Sequence, residues 1–277
     1  MPELPEVETT RRGIEPHCLG RRIIHAVVHD PRLRWPVRSD LPEWLHDRHI
    51  IRVDRRSKYL LIEFENNERL LIHLGMSGSL RLVDPGTPRR KHDHIEIAFD
   101  SGRVLRYHDP RRFGALLTDH VNNPHERLAN LGPEPLGPEF TPEYLHQKIK
   151  NRKTAIKPLL MNAEIVVGVG NIYANEALFL AGIHPAMPAN ECSPALAERL
   201  VAVIKDVLTR AIEQGGTTLR DFVREDGQPG YFKQTLNVYD RADQPCRICS
   251  TPIQKNIQAQ RATYFCPVCQ NNADLPA

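Results

Sequence analysis

Asn122-Asn-Pro-His-Glu-Arg-Leu-Ala-Asn-Leu-Gly-Pro-Glu-Pro-Leu-Gly-Pro-Glu-Phe-Thr-Pro142 carries Pro124, Pro133, Pro135, Pro138 and Pro142 together with Gly132 and Gly137. Proline fixes φ and gives up its N–H, so this density reads as a turn-rich interdomain linker and not as a helix or strand. The chain differs on its two sides. Ahead of it, short apolar stretches bounded by turn residues recur at 23–28, 50–53, 59–64, 70–74, 95–99 and 104–107. Several alternate, as in Ile95-Glu96-Ile97 and Leu61-Ile62-Glu63-Phe64, with the period of half-buried strands, which predicts a sandwich or a barrel. One helix is expected before these strands: Pro5 suits a first helical turn, and Glu6 and Glu8 complement the positive end of the helix dipole. Behind the linker, Ser193-Pro194 reads as a cap followed by a first-turn proline. Leu196, Leu200, Val203, Val207, Leu208, Ala211 and Ile212 then keep one apolar face until Gly215-Gly216. Strands first and helices later imply an α+β chain of two domains, not an alternating α/β fold.

The 277 residues, 40% hydrophobic and 26% charged, can bury a core, which excludes wholesale disorder. No apolar run approaches the roughly 18 residues of a membrane helix, and the acidic start is unlike a secretory signal, so the sequence reads as cytoplasmic with no membrane partner. A formal net charge of +3, from 37 Lys plus Arg against 34 Asp plus Glu, neither demands nor excludes nucleic acid, because binding depends on where the charges sit.

The six cysteines say more. Cys246-Arg-Ile-Cys249 and Cys266-Pro-Val-Cys269 form two C-x₂-C pairs, the pattern of four thiolates around one tetrahedral, structural zinc ion. Two disulfides are the alternative, disfavoured in a chain without a secretory signal. Every histidine lies at or before His184, so no Cys₂His₂ set can form within this segment. β-type residues at 251–253 and 262–265 flank a polar tip at 254–260, which predicts a hairpin with Arg261 just past the tip. Cys18 and Cys192 are isolated and read as ordinary thiols.

Basic residues cluster four times: Lys148, Lys150, Arg152, Lys153 and Lys157 in an acid-free run; Arg52, Arg55, Arg56 and Lys58; Arg89, Arg90, Lys91 and His92; and Arg103, Arg106, Arg111 and Arg112. A single such cluster is usually a solvated face, but four beside a zinc hairpin point toward a phosphate backbone. In Val166-Val-Gly-Val-Gly-Asn-Ile-Tyr173 the glycines permit a tight turn, Asn171 suits an N-cap, and the amides of the helix that follows could meet an anion. Pro2 has its own logic. Removal of Met1 would expose a secondary amine of near-neutral pKa, roughly 7.7–8.0 for α-amino groups, able to form an iminium with a sugar carbon. Glu3 and Glu6 stand beside it as proton donors or acceptors. An acidic helix cap explains the same residues without chemistry.

Eight segments in order, spanning nearly the whole chain, resemble the bacterial formamidopyrimidine-DNA glycosylase family. They are Pro2-Glu-Leu-Pro-Glu-Val-Glu-Thr, Arg56-Ser-Lys-Tyr, His73-Leu-Gly-Met-Ser-Gly-Ser, Lys91-His-Asp-His, Asp109-Pro-Arg-Arg-Phe-Gly, Gly168-Val-Gly-Asn-Ile-Tyr-Ala, Gly227-Gln-Pro-Gly-Tyr-Phe, and Gln260-Arg-Ala-Thr with the four cysteines. The resemblance implies an N-terminal helix plus β-sandwich catalytic domain (1–121), a linker (122–140), a helical helix-two-turn-helix domain (141–236) and a zinc β-hairpin (237–271), with damaged double-stranded DNA bound between the domains. It implies a monomeric base-excision enzyme of the bacterial cytoplasm that excises 8-oxoguanine and formamidopyrimidines and then nicks the abasic site by β,δ-elimination. Carried over, Pro2 is the Schiff-base nucleophile, Glu3 protonates the sugar, Glu6 supports the site, and Lys58 and Arg261 are the proton donors of β- and δ-elimination. Met76, Arg111 and Phe113 fill the stack vacated by the flipped nucleotide. His92, Arg152, Lys157 and Asn171 contact phosphates, and 217–232 caps the lesion. Ser250 stands where the family pattern leads one to expect Gly, and Asn162 where Asp is commoner. Two other readings remain at this point. An endonuclease VIII-like enzyme for oxidised pyrimidines is opposed by Leu4, Met76 and the Arg111-Arg-Phe-Gly114 segment, and a noncatalytic zinc-containing DNA-binding protein has no need of a free Pro2 amine.

Overall fold

The computed structural model describes residues 2–216 and 235–271, and the expected lesion-capping stretch lies outside them. The chain forms two compact units. Among the described residues, the first holds 2–129 and 214–216, and the second 130–213 and 235–271.

In the first unit α1 (Leu4–Cys18) begins behind Glu3 as N-cap, with Pro5 in the first turn. Glu6 reaches back to accept the Glu3 N–H at 2.8 Å, closing a reciprocal capping box. Leu4, Val7, Ile14 and Cys18 fall on the buried face. Eight strands follow: β1 (Ile23–Val28), β2 (Ile50–Arg56), β3 (Tyr59–Phe64), β4 (Glu68–His73), β5 (Ser79–Val83), β6 (Asp93–Phe99), β7 (Val104–His108) and β8 (Ala115–His120), with a short α2 (Leu41–Leu45) between β1 and β2. They make two antiparallel sheets, ordered β1-β6-β7-β5 and β2-β3-β4-β8. A single core takes Ile23, Ile95, Ile97, Phe99 and Tyr107 from one sheet, Ile50, Leu60, Ile62, Phe64 and Ile72 from the other, and Val7 and Ile14 from α1. That shared core makes the pair of sheets a sandwich. Each fully buried aliphatic or Phe side chain contributes about 1.5–3 kcal/mol. The alternation read in β6 holds, but β3 and β4 bury both faces: Leu61 and its cross-strand partner Leu71 are buried although they lie outside this core.

Two loops at one end of the sandwich meet backbone to backbone. A Cβ on Gly75, whose φ is +65°, would lie 2.4 Å from the Gly114 nitrogen, and one on Gly114 would lie 2.6 Å from the His73 carbonyl and closer still to the Tyr107 hydroxyl. The proline-rich stretch after β8 is not bare coil. It holds α3 (Glu126–Ala129), and Phe140 is fully buried.

The second unit contains α4 (Pro142–Ile149), α5 (Ile156–Leu160), α6 (Asn171–Leu180) and α7 (Pro194–Glu213), followed by the hairpin β9 (Gln254–Gln258) and β10 (Arg261–Phe265). Thr141 caps α4 by accepting the Tyr144 N–H, and Ser193 accepts the Leu196 N–H at the start of α7. Helix α7 ends at Gly215-Gly216, both at positive φ, as read from the sequence, but its buried face differs slightly. Val201 and Ile204 are buried, whereas Leu196 and Val203 are only half-buried. The N-cap of α6 is Gly170, and Asn171 is the first helical residue, because its side chain is used elsewhere. In the hairpin, the stretch read as a polar tip is itself strand. The turn shrinks to Ala259 and Gln260, at φ 45° and 59°. Positive φ at both positions is the geometry whose twist matches the flanking strands, so it is adopted even without glycine.

Gly114→Ala is expected to cost about 2–4 kcal/mol through backbone collision. Gly20→Ala, at φ +71° but with nothing within 4 Å, is expected to cost only about 1 kcal/mol. Urea denaturation of the two variants measures the contrast.

Candidate active site

Pro2 is buried at the head of α1, followed by Glu3 at 3% and Glu6 at 0% exposure. Burying two adjacent carboxyls is costly unless donors meet them, and the helix start supplies these through the capping box. Gly216 closes over Glu6. Gly216 is at φ +78°, and a Cβ there would sit 3.0 Å from Glu6 Oε1, so a side chain at this position would be both strained and crowded. Lys58 occupies the tip of the two-residue β2–β3 turn, where Arg56 pairs with Tyr59 and Ser57 adopts φ 57°.

Met76, Arg111 and Phe113 lie on the two glycine-locked loops. Asp109, fully buried, organises them: Oδ1 accepts from Ser77 Oγ at 2.9 Å and Oδ2 from the Gly114 N–H at 2.9 Å. Ser77 Oγ in turn accepts the Arg111 N–H, and the Tyr107 hydroxyl donates to the His73 carbonyl. Arg111 and Phe113 project outward, the guanidinium carbon 5.1 Å from the ring centre. Among the described residues Arg111 has no carboxylate partner, so its charge is available to a ligand.

His92 is half-buried at the start of β6. Its neighbour Asp93, fully buried, binds Arg81 at 2.6 Å, His108 Nδ1 at 2.8 Å and the Arg90 N–H at 2.8 Å. Burial would raise this carboxyl, but the Arg90 amide and the Arg81 guanidinium outweigh it and hold the group below the usual carboxylate range. Arg106, also beside Asp93, donates to the Thr87 and Pro88 carbonyls and fixes the loop that precedes His92. Asp93 and Asp109 were not singled out from sequence, although both stand inside quoted motifs. An acid between basic residues is the signal that could have found them.

His73 is the most perturbed imidazole. Burial, with the nearby charges of Lys58, Arg34 and Arg127, pushes it down to about 4. Its Nδ1 accepts the Gly75 N–H at 3.0 Å, so the neutral ring carries its proton on Nε2.

Several cations of the sequence clusters prove to be paired. Arg52 meets Asp54, Arg55 meets Glu8, Arg103 meets Asp84, Arg106 meets Glu96 and Arg112 meets Asp30. In the second unit Arg152 is exposed and has no carboxylate partner among the described residues, its Nε donating to the Lys148 carbonyl. Lys157 is only 1% exposed. Its Nζ donates to Asn171 Oδ1 at 2.7 Å, Thr263 Oγ1 at 2.9 Å and the Ala262 carbonyl at 3.3 Å, while Asn171 Nδ2 donates to that same carbonyl. The pair thus ties α5 and the start of α6 to the residue next to Arg261, which is exposed at the start of β10. Glu176, also unread from sequence, accepts the N–H groups of Asn237, Val238 and Tyr239 and anchors the chain entering the hairpin.

The sulfurs of Cys246, Cys249, Cys266 and Cys269 all lie within 4.8 Å of one another, with Cys246–Cys269 at 3.8 Å and Cys249–Cys266 at 3.4 Å. Tetrahedral zinc with Zn–S bonds of about 2.3 Å sets sulfurs about 3.8 Å apart. The Ile248 and Cys269 amides point at Cys246 and Cys266 sulfur, a donor arrangement suited to thiolates. The set fits one structural zinc ion. Ser250, the departure noted in the sequence, adopts φ 63° in the first knuckle. Cys18 and Cys192 are buried thiols, pushed by burial up to about 12 and about 11.

Three family models match in chain order: the formamidopyrimidine-DNA glycosylase N-terminal domain over residues 1–116, its H2TH domain over 131–223, and a zinc finger found in FPG and IleRS over 243–272. Together they define a DNA glycosylase of the helix-two-turn-helix, zinc-hairpin class. Curated formamidopyrimidine-DNA glycosylases of Shigella dysenteriae and Thioalkalivibrio sulfidiphilus are 57% and 58% identical, each over 98% of this chain and the full length of the relative. The crystal structure of the MutM (Fpg) protein from Thermus thermophilus superposes with a TM-score of 0.86 at 38% identity, covering 97% of this chain and 98% of that one. Lactococcus lactis Fpg in complex with DNA containing an abasic site does so with 0.88 at 34%, covering 98% and 100%. The chain belongs to the formamidopyrimidine-DNA glycosylase family. Among the described residues no helix is long and apolar enough to cross a membrane.

A depressed imidazole stays neutral in the folded state while the unfolded chain takes up a proton below its ordinary value of 6.5. His73 therefore subtracts stability as pH falls from 6.5 toward 4, by roughly 1–3 kcal/mol. His73→Gln should flatten the pH dependence of urea midpoints in that window. Ser250→Gly should relieve the left-handed backbone and raise thermal stability, by up to about 1 kcal/mol, with zinc still bound at one equivalent by metal analysis.

Proposed function

We propose that the protein is a bifunctional base-excision DNA glycosylase and abasic-site lyase, acting as a monomer on damaged double-stranded DNA in the bacterial cytoplasm and removing 8-oxoguanine and formamidopyrimidines. The observation that carries the catalytic reading is the N-terminus. Pro2 precedes a capped helix whose first-turn carboxyls are buried and held by backbone donors, an arrangement that DNA binding alone does not need.

With Met1 removed, the Pro2 nitrogen is a secondary amine with a free-base fraction at neutral pH. Its lone pair attacks C1′ of the flipped nucleotide, the glycosidic bond breaks with its electron pair leaving on the base, and the proton lost by the Pro2 nitrogen goes to the base. Glu3 protonates the sugar ring oxygen as the C1′–O4′ bond opens, leaving an iminium between C1′ and Pro2. A C2′ proton is then lost to solvent, and the electron pair it leaves expels the 3′ phosphate, with Lys58 as the proton donor. A second elimination expels the 5′ phosphate, with Arg261 as proton donor. Glu6, pinned to the Glu3 amide, is a positioning residue for the helix start. Met76, Arg111 and Phe113, displayed by the Asp109-ordered loops, fill the space left by the flipped nucleotide, and flipping costs a few kcal/mol. His92, Arg152, Lys157 and Asn171 serve the phosphates, Arg152 by direct charge. Zinc, when bound, supplies a structural cross-link of the knuckles that carry the hairpin.

Borohydride trapping on a duplex with 8-oxoguanine opposite cytosine should give a covalent adduct mapping to residue 2 in protein freed of Met1, and none in a Met1-retaining form, whose Pro2 nitrogen is an amide. A folded, Met-free preparation that gives no adduct would refute the proposed chemistry.

A further inference from the structure

Arg34, Trp35 and Arg127 stand together outside every motif that carries the assigned chemistry. Trp35 is half-buried, and the guanidinium carbons of Arg127 and Arg34 lie 3.6 Å and 4.8 Å from its ring centre. Burial pushes the Tyr59 hydroxyl up, and the nearby positive charges of Arg127 and Arg34 oppose it. Tyr59 packs on His73 with ring centres 4.9 Å apart, and the two residues are direct cross-strand partners, with His73 paired in turn to Ala115. The Arg34 N–H donates to the Gly114 carbonyl, which ties this cluster to the loop that displays Arg111 and Phe113. Lys58, next to Tyr59, acts on His73 together with Arg34 and Arg127.

The charge count is one-sided. Among the described residues neither Arg34 nor Arg127 forms an ion pair, whereas neighbouring Arg32 is bound by Asp30 at 2.9 Å and Arg38 by Asp40 at 2.6 Å. Stacking on an indole orders a guanidinium without neutralising it. Two guanidiniums stacked on Trp35, without an ion pair among the described residues, both act on His73, so the missing negative charge at Arg34 and Arg127 is one that a ligand brings. A phosphodiester, with its two exposed anionic oxygens, matches planar guanidinium donors.

We propose that Arg34 and Arg127, ordered on Trp35 beside Tyr59 and His73, form a phosphodiester subsite that holds the backbone of the strand served by Lys58. This rests on the reading of the protein as a DNA glycosylase and adds binding residues to it. Fluorescence anisotropy with a duplex containing a tetrahydrofuran abasic analogue, followed through a salt series, tests it. Arg34→Gln and Arg127→Gln should each weaken binding severalfold and lower the slope of log K against log salt by about 1. Arg127→Lys should keep the wild-type slope, because the charge remains. Arg32→Gln, whose parent is already neutralised by Asp30, should leave slope and affinity unchanged. The Arg34 side chain is exposed, so its variant tests the subsite even where loss of the Arg127 stack unfolds the protein. Wild-type slopes in both Gln variants would overturn the subsite while leaving wild-type borohydride trapping intact. Failed trapping with reduced slopes would overturn the glycosylase chemistry and leave a phosphate-binding surface standing.

Discussion

A carboxylate removed from water must be met by donors, and the structure is organised around places where this happens. Asp93 and Asp109 are fully buried and Glu176 is 2% exposed. Each draws in a loop: Asp93 the strand start at His92, Asp109 the loops of Met76, Arg111 and Phe113, and Glu176 the chain entering the zinc hairpin. An unpaired buried donor or acceptor costs about 1–3 kcal/mol, more if charged. The loops therefore have few alternative arrangements, and the residues assigned to DNA are presented by backbone that is already ordered. The same logic applies to Glu3 and Glu6, where the helix start supplies the donors.

The second constraint is the distribution of charge. Linear clusters of Arg and Lys suggest a broad grip on phosphate, but folding hands many of those cations to acids distant in sequence, such as Glu8 to Arg55 and Asp30 to Arg112. Among the described residues, several cations remain without a carboxylate partner. Arg111 stays open over Phe113, Arg152 on the helical unit, and Arg34 and Arg127 on Trp35. An overall charge near zero is thus compatible with strongly salt-dependent DNA binding, because counterion release counts local contacts and not the total.

The zinc hairpin shows how a small module tolerates strain. Ser250, Ala259 and Gln260 all sit at positive φ without a glycine, each a conformation that costs a non-glycine residue about 1–2 kcal/mol. A four-sulfur cross-link and a small core of Phe179, Val238, Ile253 and Tyr264 offset this. Lys157 and Asn171, read from sequence as phosphate contacts, also bind the Ala262 carbonyl, so the strand that begins at Arg261 is held at its first turn.

Much of this was legible in the chain itself. Hydrophobic periodicity marked the strands and α7, the proline-rich stretch marked the change from strands to helices, and paired C-x₂-C spacing marked the metal site, because those signals depend on neighbours within a few residues. The resemblance placed Pro2, Glu3, Lys58 and Arg261 by motif. Periodicity alone left sandwich or barrel open, the resemblance implied a sandwich, and the strand pairing of the tertiary structure bears that out. The tertiary structure also shortened the hairpin tip to two residues and moved the α6 cap to Gly170, since strand register and the partners of Asn171 come from elsewhere in the fold. And it alone separated the arginines already satisfied by an acid from those still open to a ligand, because an ion pair is made in space between residues that the sequence keeps far apart.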